Sequence, residues 1–249
     1  MLNNATVEKL HEMHLSVMAA KFQEQIGNAA AGALNFEDQF GYLVDAEWAN
    51  RKSNRLTRLI RQAAFEFPSA CLEDVEYHAD RNLDKALITK LGTCGYISEY
   101  RNIIILGATG NGKTWLSNAF GITACRNFQS VRYARLPELL MELAIARADG
   151  SYSKVIAHYR KVRLLILDEW LLYPLKEIEA RDLLEIAQSR HKKASTIFCS
   201  QFDVGGWHNQ IGEATLADAV VDRIVHDSYT IVIEGKESMR KRKGIPDND

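Results

Sequence analysis

The chain has 249 residues, enough for one or two domains that bury a core without disulfide or metal staples. Hydrophobic residues make up 47%, charged residues 25%, and only 4 residues are proline, a balance that excludes pervasive disorder. The net charge of -1 excludes a strongly basic nucleic-acid coat protein, yet residues 1 to 100 carry 10 basic and 14 acidic side chains against 21 and 18 in the remainder, so local basic patches matter more than the total.

The N-terminus interrupts its apolar residues with acidic and polar ones, unlike a signal peptide, and no window reaches membrane-spanning length. The sequence therefore reads as a cytoplasmic protein with no membrane partner. Residues 6 to 26 place Val7, Leu10, His14, Leu15, Met18 and Phe22 at helical spacing, which predicts one amphipathic helix closed by the small residues from Gly27 to Gly32. A second helix is predicted from Asn35, whose side chain can cap it, to the stop at Pro68. No strand pattern occurs before about residue 100. Cys71, Cys94, Cys125 and Cys199 are scattered without a CxxC pair, against a zinc site or disulfide framework, and read as buried thiols.

From residue 103 the texture changes. Ile103 to Leu106 reads as a buried parallel strand, and Ser130 to Ala134, Leu164 to Leu167, Thr196 to Cys199 and Tyr229 to Ile233 as further strands. Helical stretches separate them, so the sequence predicts an α/β fold with a parallel five-stranded sheet flanked by helices.

Directly after the first strand comes Gly107-Ala108-Thr109-Gly110-Asn111-Gly112-Lys113-Thr114, which fills the eight-position P-loop pattern in its strand-turn-helix context. Glycines let successive backbone N–H groups and a helix N-terminus face the phosphates, Lys113 neutralises the β/γ oxygens, and Thr114 supplies a hydroxyl to Mg²⁺. ATP and Mg²⁺ are thus the expected cofactors. A second apolar strand ends in Asp168-Glu169, with Asp168 expected in the metal shell and Glu169 expected to orient and deprotonate the attacking water. One strand later Gln201 emerges at the same sheet edge, where it could bond the water or the γ-phosphate. No glycine stands at Leu171 to make the turn of a switch GTPase.

These features together resemble an AAA+ ATPase, and more narrowly the IstB-like transposition helpers within the DnaC-like helicase-loader branch. The resemblance spans nearly the whole chain, through the Leu10 to Phe22 helix, Glu47-Trp-Ala-Asn-Arg51, Ala146-Arg-Ala-Asp-Gly150, Asp222-Arg223-Ile224 and Glu237-Ser-Met-Arg240. It implies an N-terminal helical partner or DNA-binding domain over residues 1–75 and an ATPase domain over 76–249. It also implies that Arg223 is an arginine finger acting on a neighbouring subunit, Arg240 the sensor-2 arginine and Gln201 the sensor-1 residue. Trp170-Leu171 stands where a small, glycine-containing sequence is usual.

Arg51, Lys52, Arg55 and Arg58 follow one another without an intervening acid, and residues 51, 55 and 58 share a helical stripe that can track phosphates. A solvated helix face explains the stripe as well. Lys154, Arg160 and Lys161 form a second basic group where loader-type ATPases place DNA-contacting helices. No base-reading motif is present, so contact would be sequence-independent. The resemblance implies an ATPase that forms a ring or spiral homo-oligomer on double-stranded DNA, bends it and recruits its cognate transposase. The alternatives are a helicase loader, a nucleotide-gated DNA-binding module with negligible turnover and, more weakly, a small-molecule kinase.

Overall fold

A computed structural model of the chain describes residues 2–27, 35–235 and 239–242, the side chains of Leu2, Arg240 and Lys241 excepted. The chain forms two compact units, Met1–Arg58 and Leu59–Asp249. The resemblance places the division at residue 75. Packing draws it earlier, because Phe65 and Ala70 belong to a small cluster with Ala119 and Ile122 in the second unit.

The first unit contains α1 (Leu2–Glu12), α2 (Ser16–Gly27) and most of α3 (Phe36–Ala63). The single helix expected over residues 6 to 26 is therefore broken in two. His14 takes φ +58° and the Leu15 amide donates to the Leu10 carbonyl at 2.8 Å. Apolar spacing continues across the break, which hides it in the sequence; the partner that fixes it comes from α3. Glu47 accepts hydrogen bonds from the Val17 and Met18 amides at 3.0 and 3.1 Å, satisfying first-turn donors of α2 that have no partner within that helix. Arg51 completes the joint by donating to Glu47 at 2.8 Å and to the His14 carbonyl at 2.7 Å.

In the second unit the order is α4 (Lys85–Gly92), α5 (Gly95–Ser98), β1 (Asn102–Gly107), α6 (Lys113–Arg126), β2 (Val131–Arg135), α7 (Leu136–Ala148) and α8 (Tyr152–Lys161). There follow β3 (Leu164–Trp170), α9 (Glu177–Arg190), β4 (Ser195–Ser200), α10 (Val204–Ile211), α11 (Ala214–Val225), β5 (Ser228–Ile233) and α12 (Met239–Arg242). The strands form one parallel sheet ordered β2-β3-β4-β1-β5, as the alternation of strands and helices predicts. Strand period divides the apolar residues between two faces. Ile104, Leu165, Leu167 and Phe198 join residues of α7 to α11 in the main core, while Ile166 faces Gly121 of α6. α6 is buried along most of its length, and this central helix starts at the P-loop.

Two buried polar groups brace the helices around β3. Asp182 pairs with Arg147 and accepts from Tyr152 at 2.6 Å. Arg190, 2% exposed, donates to the carbonyls of Tyr159, Val162 and Ser195 and to the Thr196 hydroxyl. Burial lowers the Arg190 pKa to about 9. Cys94, Cys125 and Cys199 are buried as expected, but Cys71 is half-exposed and bonds Glu73 and Arg126; it lies on the exposed segment before the sheet, outside the apolar core. Among the described residues no helix is long and apolar enough to cross a membrane.

Hydrogen bonds from Arg51 and from the Met18 and Val17 amides hold the Glu47 carboxyl below its ordinary pKa. A depressed carboxyl stabilises the fold above its unfolded pKa and loses that contribution as the pH falls through the folded value. Glu47→Gln should therefore lower thermal stability relative to wild type at about pH 6, with the difference narrowing as the pH falls below the ordinary carboxyl range. Melting curves of both proteins across this range check it.

Candidate active site

The P-loop joins the end of β1 to the start of α6 at the carboxyl edge of the sheet, where open α/β folds bind ligands. Gly112 has φ +86°, and a Cβ there would meet Arg81 Nη2 at 3.4 Å and Met239 Cγ at 3.6 Å. Only glycine takes that turn without strain. Contacts from several directions fix the loop. Asn111 Nδ2 donates to the Ile233 carbonyl at 3.0 Å, the Met239 amide donates to the Gly110 carbonyl at 2.9 Å, and Arg81 donates to the Asn111 carbonyl at 3.1 Å and the Glu76 carbonyl at 2.7 Å. Lys113 Nζ donates to the Gly107 and Ala108 carbonyls at 2.6 and 2.9 Å. Burial lowers the Lys113 pKa, against the opposing charge of Asp168.

Asp168 is 4% exposed. Its Oδ1 accepts the Glu169 amide at 2.8 Å, and its Oδ2 lies 3.1 Å from the Tyr133 hydroxyl. Burial first, then the charge of Asp168, pushes the Tyr133 pKa far up, so the phenol stays a donor. At Glu169 the chain leaves strand geometry, with φ +52°, and Leu171 follows at +54°. Pairing with β4 is irregular between Leu167 and Trp170. The bulge sends the Trp170 ring into the core, 4.6 Å from Phe198 and 5.7 Å from Trp207. A non-glycine residue at such φ costs about 1–2 kcal/mol, an amount that burying one tryptophan offsets. Thus Trp170-Leu171 builds the turn by core burial in place of glycine.

Glu169 lies 2.5 Å from Arg135 Nη2, and Arg135 also pairs with Glu138 at 3.2 Å. Bonding to Glu169 raises the Arg135 pKa. Lys113, Thr114, Asp168, Glu169 and Gln201 all line one cleft of about 320 Å³, the size of a small-ligand site. Magnesium fits this donor set: Thr114 and Asp168 face the same cleft, and a P-loop Mg²⁺ takes its remaining ligands from phosphates and water.

Other expected residues lie elsewhere. Arg223 is near the end of α11, just before β5, and donates to the Ala219 carbonyl at 2.7 Å. Residues 223 and 224 adjoin Asn102, which begins β1, whereas the P-loop follows the end of β1. Arg223 is therefore at the opposite sheet edge and does not reach the cleft of its own chain. Arg240 belongs to α12, but its side chain lies outside the described residues. Of the basic residues, Arg51 is engaged by Glu47 and His14, and Lys52 Nζ lies 3.8 Å from the Trp48 ring centroid. Arg55 and Arg58 are exposed on α3. On α8, Lys154 and Lys161 are exposed on one face with His158 between them, whereas Arg160 pairs with Glu185 at 3.6 Å.

Sequence reasoning missed Arg135, Tyr133 and Arg81. The first two carried a signal: β2 pairs with β3 so that Arg135 stands beside Asp168, and a polar end to a buried strand at that edge marks a candidate. Arg81 carried none, since it comes from a short turn before the sheet.

A family model described as IstB-like ATP binding protein matches residues 8–245. An insertion-sequence ATP-binding protein of Sinorhizobium fredii is 42% identical over 98% of each chain. The ATP-binding protein of insertion sequence IS1162 from Pseudomonas fluorescens is 41% identical over 81% of this chain and 87% of its own. Among solved structures, the DnaC helicase loader aligns over 66% of this chain and 97% of its own, with TM-score 0.55 and 20% identity. DnaA bound to AMPPCP and single-stranded DNA aligns over 70% and 53%, with TM-score 0.57 and 21% identity. The likeness to these two structures concerns the fold.

Trp170→Ala should destabilise the protein by about 3–5 kcal/mol, the usual cost of truncating a buried tryptophan. Denaturant unfolding measures it, and a loss below about 1 kcal/mol would show that the ring does not hold the turn.

Proposed function

Since the chain belongs to the IstB-like ATP binding protein family, we propose that it is an ATP-hydrolysing transposition helper. In this reading it oligomerises on double-stranded DNA, independently of sequence, bends it and recruits the cognate transposase to a target. The observation that carries the reading is the convergence of Lys113, Thr114, Asp168, Glu169 and Gln201 on one cleft, in a chain whose relatives are named ATP-binding proteins of insertion sequences.

The P-loop amides and Lys113 hold the β- and γ-phosphates, and Thr114 with Asp168 holds magnesium, which when bound neutralises phosphate charge and aligns the oxygens. Glu169 orients the attacking water and takes its proton, and Gln201 bonds the water or the γ-phosphate. For that task Glu169 must exchange its contact with Arg135 for one with water, so Arg135 restrains hydrolysis until the site is complete. Arg223, distant from the cleft of its own chain, acts on the nucleotide of a neighbouring copy, where a guanidinium stabilises charge that develops during transfer. Arg240 serves as the sensor-2 residue. Arg51, Lys52, Arg55 and Arg58 on α3, and Lys154, Arg160 and Lys161 on α8, offer the phosphate contacts.

Lys113→Ala should abolish nucleotide binding. Glu169→Gln should retain binding but lower turnover at least about 100-fold, the scale of a lost general base, and so prolong complexes on DNA. Lys113→Ala keeps its Arg223, and Arg223→Ala keeps its cleft, so mixing the two inactive proteins on duplex DNA should restore part of the ATPase rate. Mixtures no faster than either protein alone would rule out the shared site. Electron microscopy with duplex DNA, ATP and Mg²⁺ should show rings or spirals that are absent without nucleotide.

A further inference from the structure

Three consecutive residues beyond the end of α3 pack against α6 and β2, two of the elements that carry the cleft. Phe65 packs closely on α6, where a Cβ at Gly121 would overlap its ring. The Phe67 amide donates to Asn118 Oδ1 at 3.0 Å, and the fully buried Asn118 in turn donates from Nδ2 to the Thr114 carbonyl at 2.8 Å. Between them, Glu66 Oε2 lies 2.9 Å from the Tyr133 hydroxyl, whose oxygen is also 3.1 Å from Asp168 Oδ2. Glu66 lines the same cleft as Asp168.

A phenol has one proton to donate. Tyr133 can serve Asp168 or Glu66; the exposed Glu66 can turn to water, whereas the buried Asp168 needs another partner once the phenol proton goes to Glu66. A cation drawing on Asp168 is such a partner and leaves the phenol proton to Glu66. We propose that Tyr133 and Glu66 are positioning residues for Asp168, linking magnesium at the cleft to the docking of residues 65–67 behind α3. This rests on the reading of the cleft as a Mg-ATP site. Linkage runs both ways: magnesium tightens the hold on Glu66, and displacement of the segment that follows α3 loosens the hold on magnesium.

The test compares full-length wild type, Glu66→Gln, Tyr133→Phe and the double variant. Binding of N-methylanthraniloyl-ATP is titrated against free Mg²⁺ and referred to the affinity of each protein in EDTA. Glu66→Gln should raise the half-saturating Mg²⁺ concentration about three- to tenfold, the worth of one hydrogen bond. In the Tyr133→Phe background the same change should shift it less than about twofold, because the connecting hydroxyl is gone. No shift in Glu66→Gln, or an equal shift in both backgrounds, overturns the proposal. If Tyr133→Phe does not fold, chymotrypsin cleavage after Phe65 in the wild type decides: magnesium added to the nucleotide complex should slow it, and an unchanged rate overturns the link. A wild type that binds no nucleotide with or without magnesium overturns the Mg-ATP reading itself, a result distinct from a missing shift.

Discussion

The chemistry at the carboxyl edge of the sheet depends on how β3 ends. Trp170 must go inward to complete an aromatic cluster with Phe198 and Trp207, and a regular strand would place the preceding residue opposite it, in alternation. The chain instead takes a left-handed step at Glu169. That step aims the Glu169 amide back at Asp168 Oδ1 and leaves the Glu169 carboxylate beside Arg135. Two adjacent acids thereby acquire different environments, one buried and hydrogen-bonded, the other half-exposed and ion-paired. The tryptophan thus gives two neighbouring carboxylates different surroundings, as the separate roles proposed for them require.

Contiguous features were legible in the sequence and juxtaposed ones were not. The P-loop, the acidic pair and the five strands each occupy a few neighbouring residues whose periodicity or composition speaks for itself. The break between α1 and α2 was invisible because apolar spacing runs through it and its cause, Glu47, is about thirty residues away on another helix. Cys71 looked like its three buried counterparts because a lone cysteine carries no directional information. Tyr133 and Arg135 could have been found by counting along β2 to the position beside Asp168, since parallel register is regular there. Glu66 could not, because its approach to Tyr133 depends on how the chain turns after α3.

Arg223 and the P-loop lie at opposite edges of one sheet. A parallel sheet keeps its strand beginnings and strand ends far apart, so a residue ahead of β5 and a loop after β1 cannot meet within one chain. In the reading proposed above, this polarity makes assembly a condition for turnover: one copy offers the nucleotide face and the next offers the arginine. The fold supplies both halves to every copy, and a chain of such contacts extends or closes according to the rotation between neighbours.

Arg190 has a consequence for evolution at this position. Its guanidinium gathers four carbonyls and a hydroxyl around one planar cation, with no carboxylate among those partners. Lysine would bring three donors on a tetrahedral head and could not span the same oxygens, so exchanging the two cations here is not conservative. Drift should thus be hard at a residue remote from any ligand, while the solvent-facing lysines of α8 stay free to vary. The backbone at the end of α8 is moored to the first residues of β4, whatever surface that helix presents.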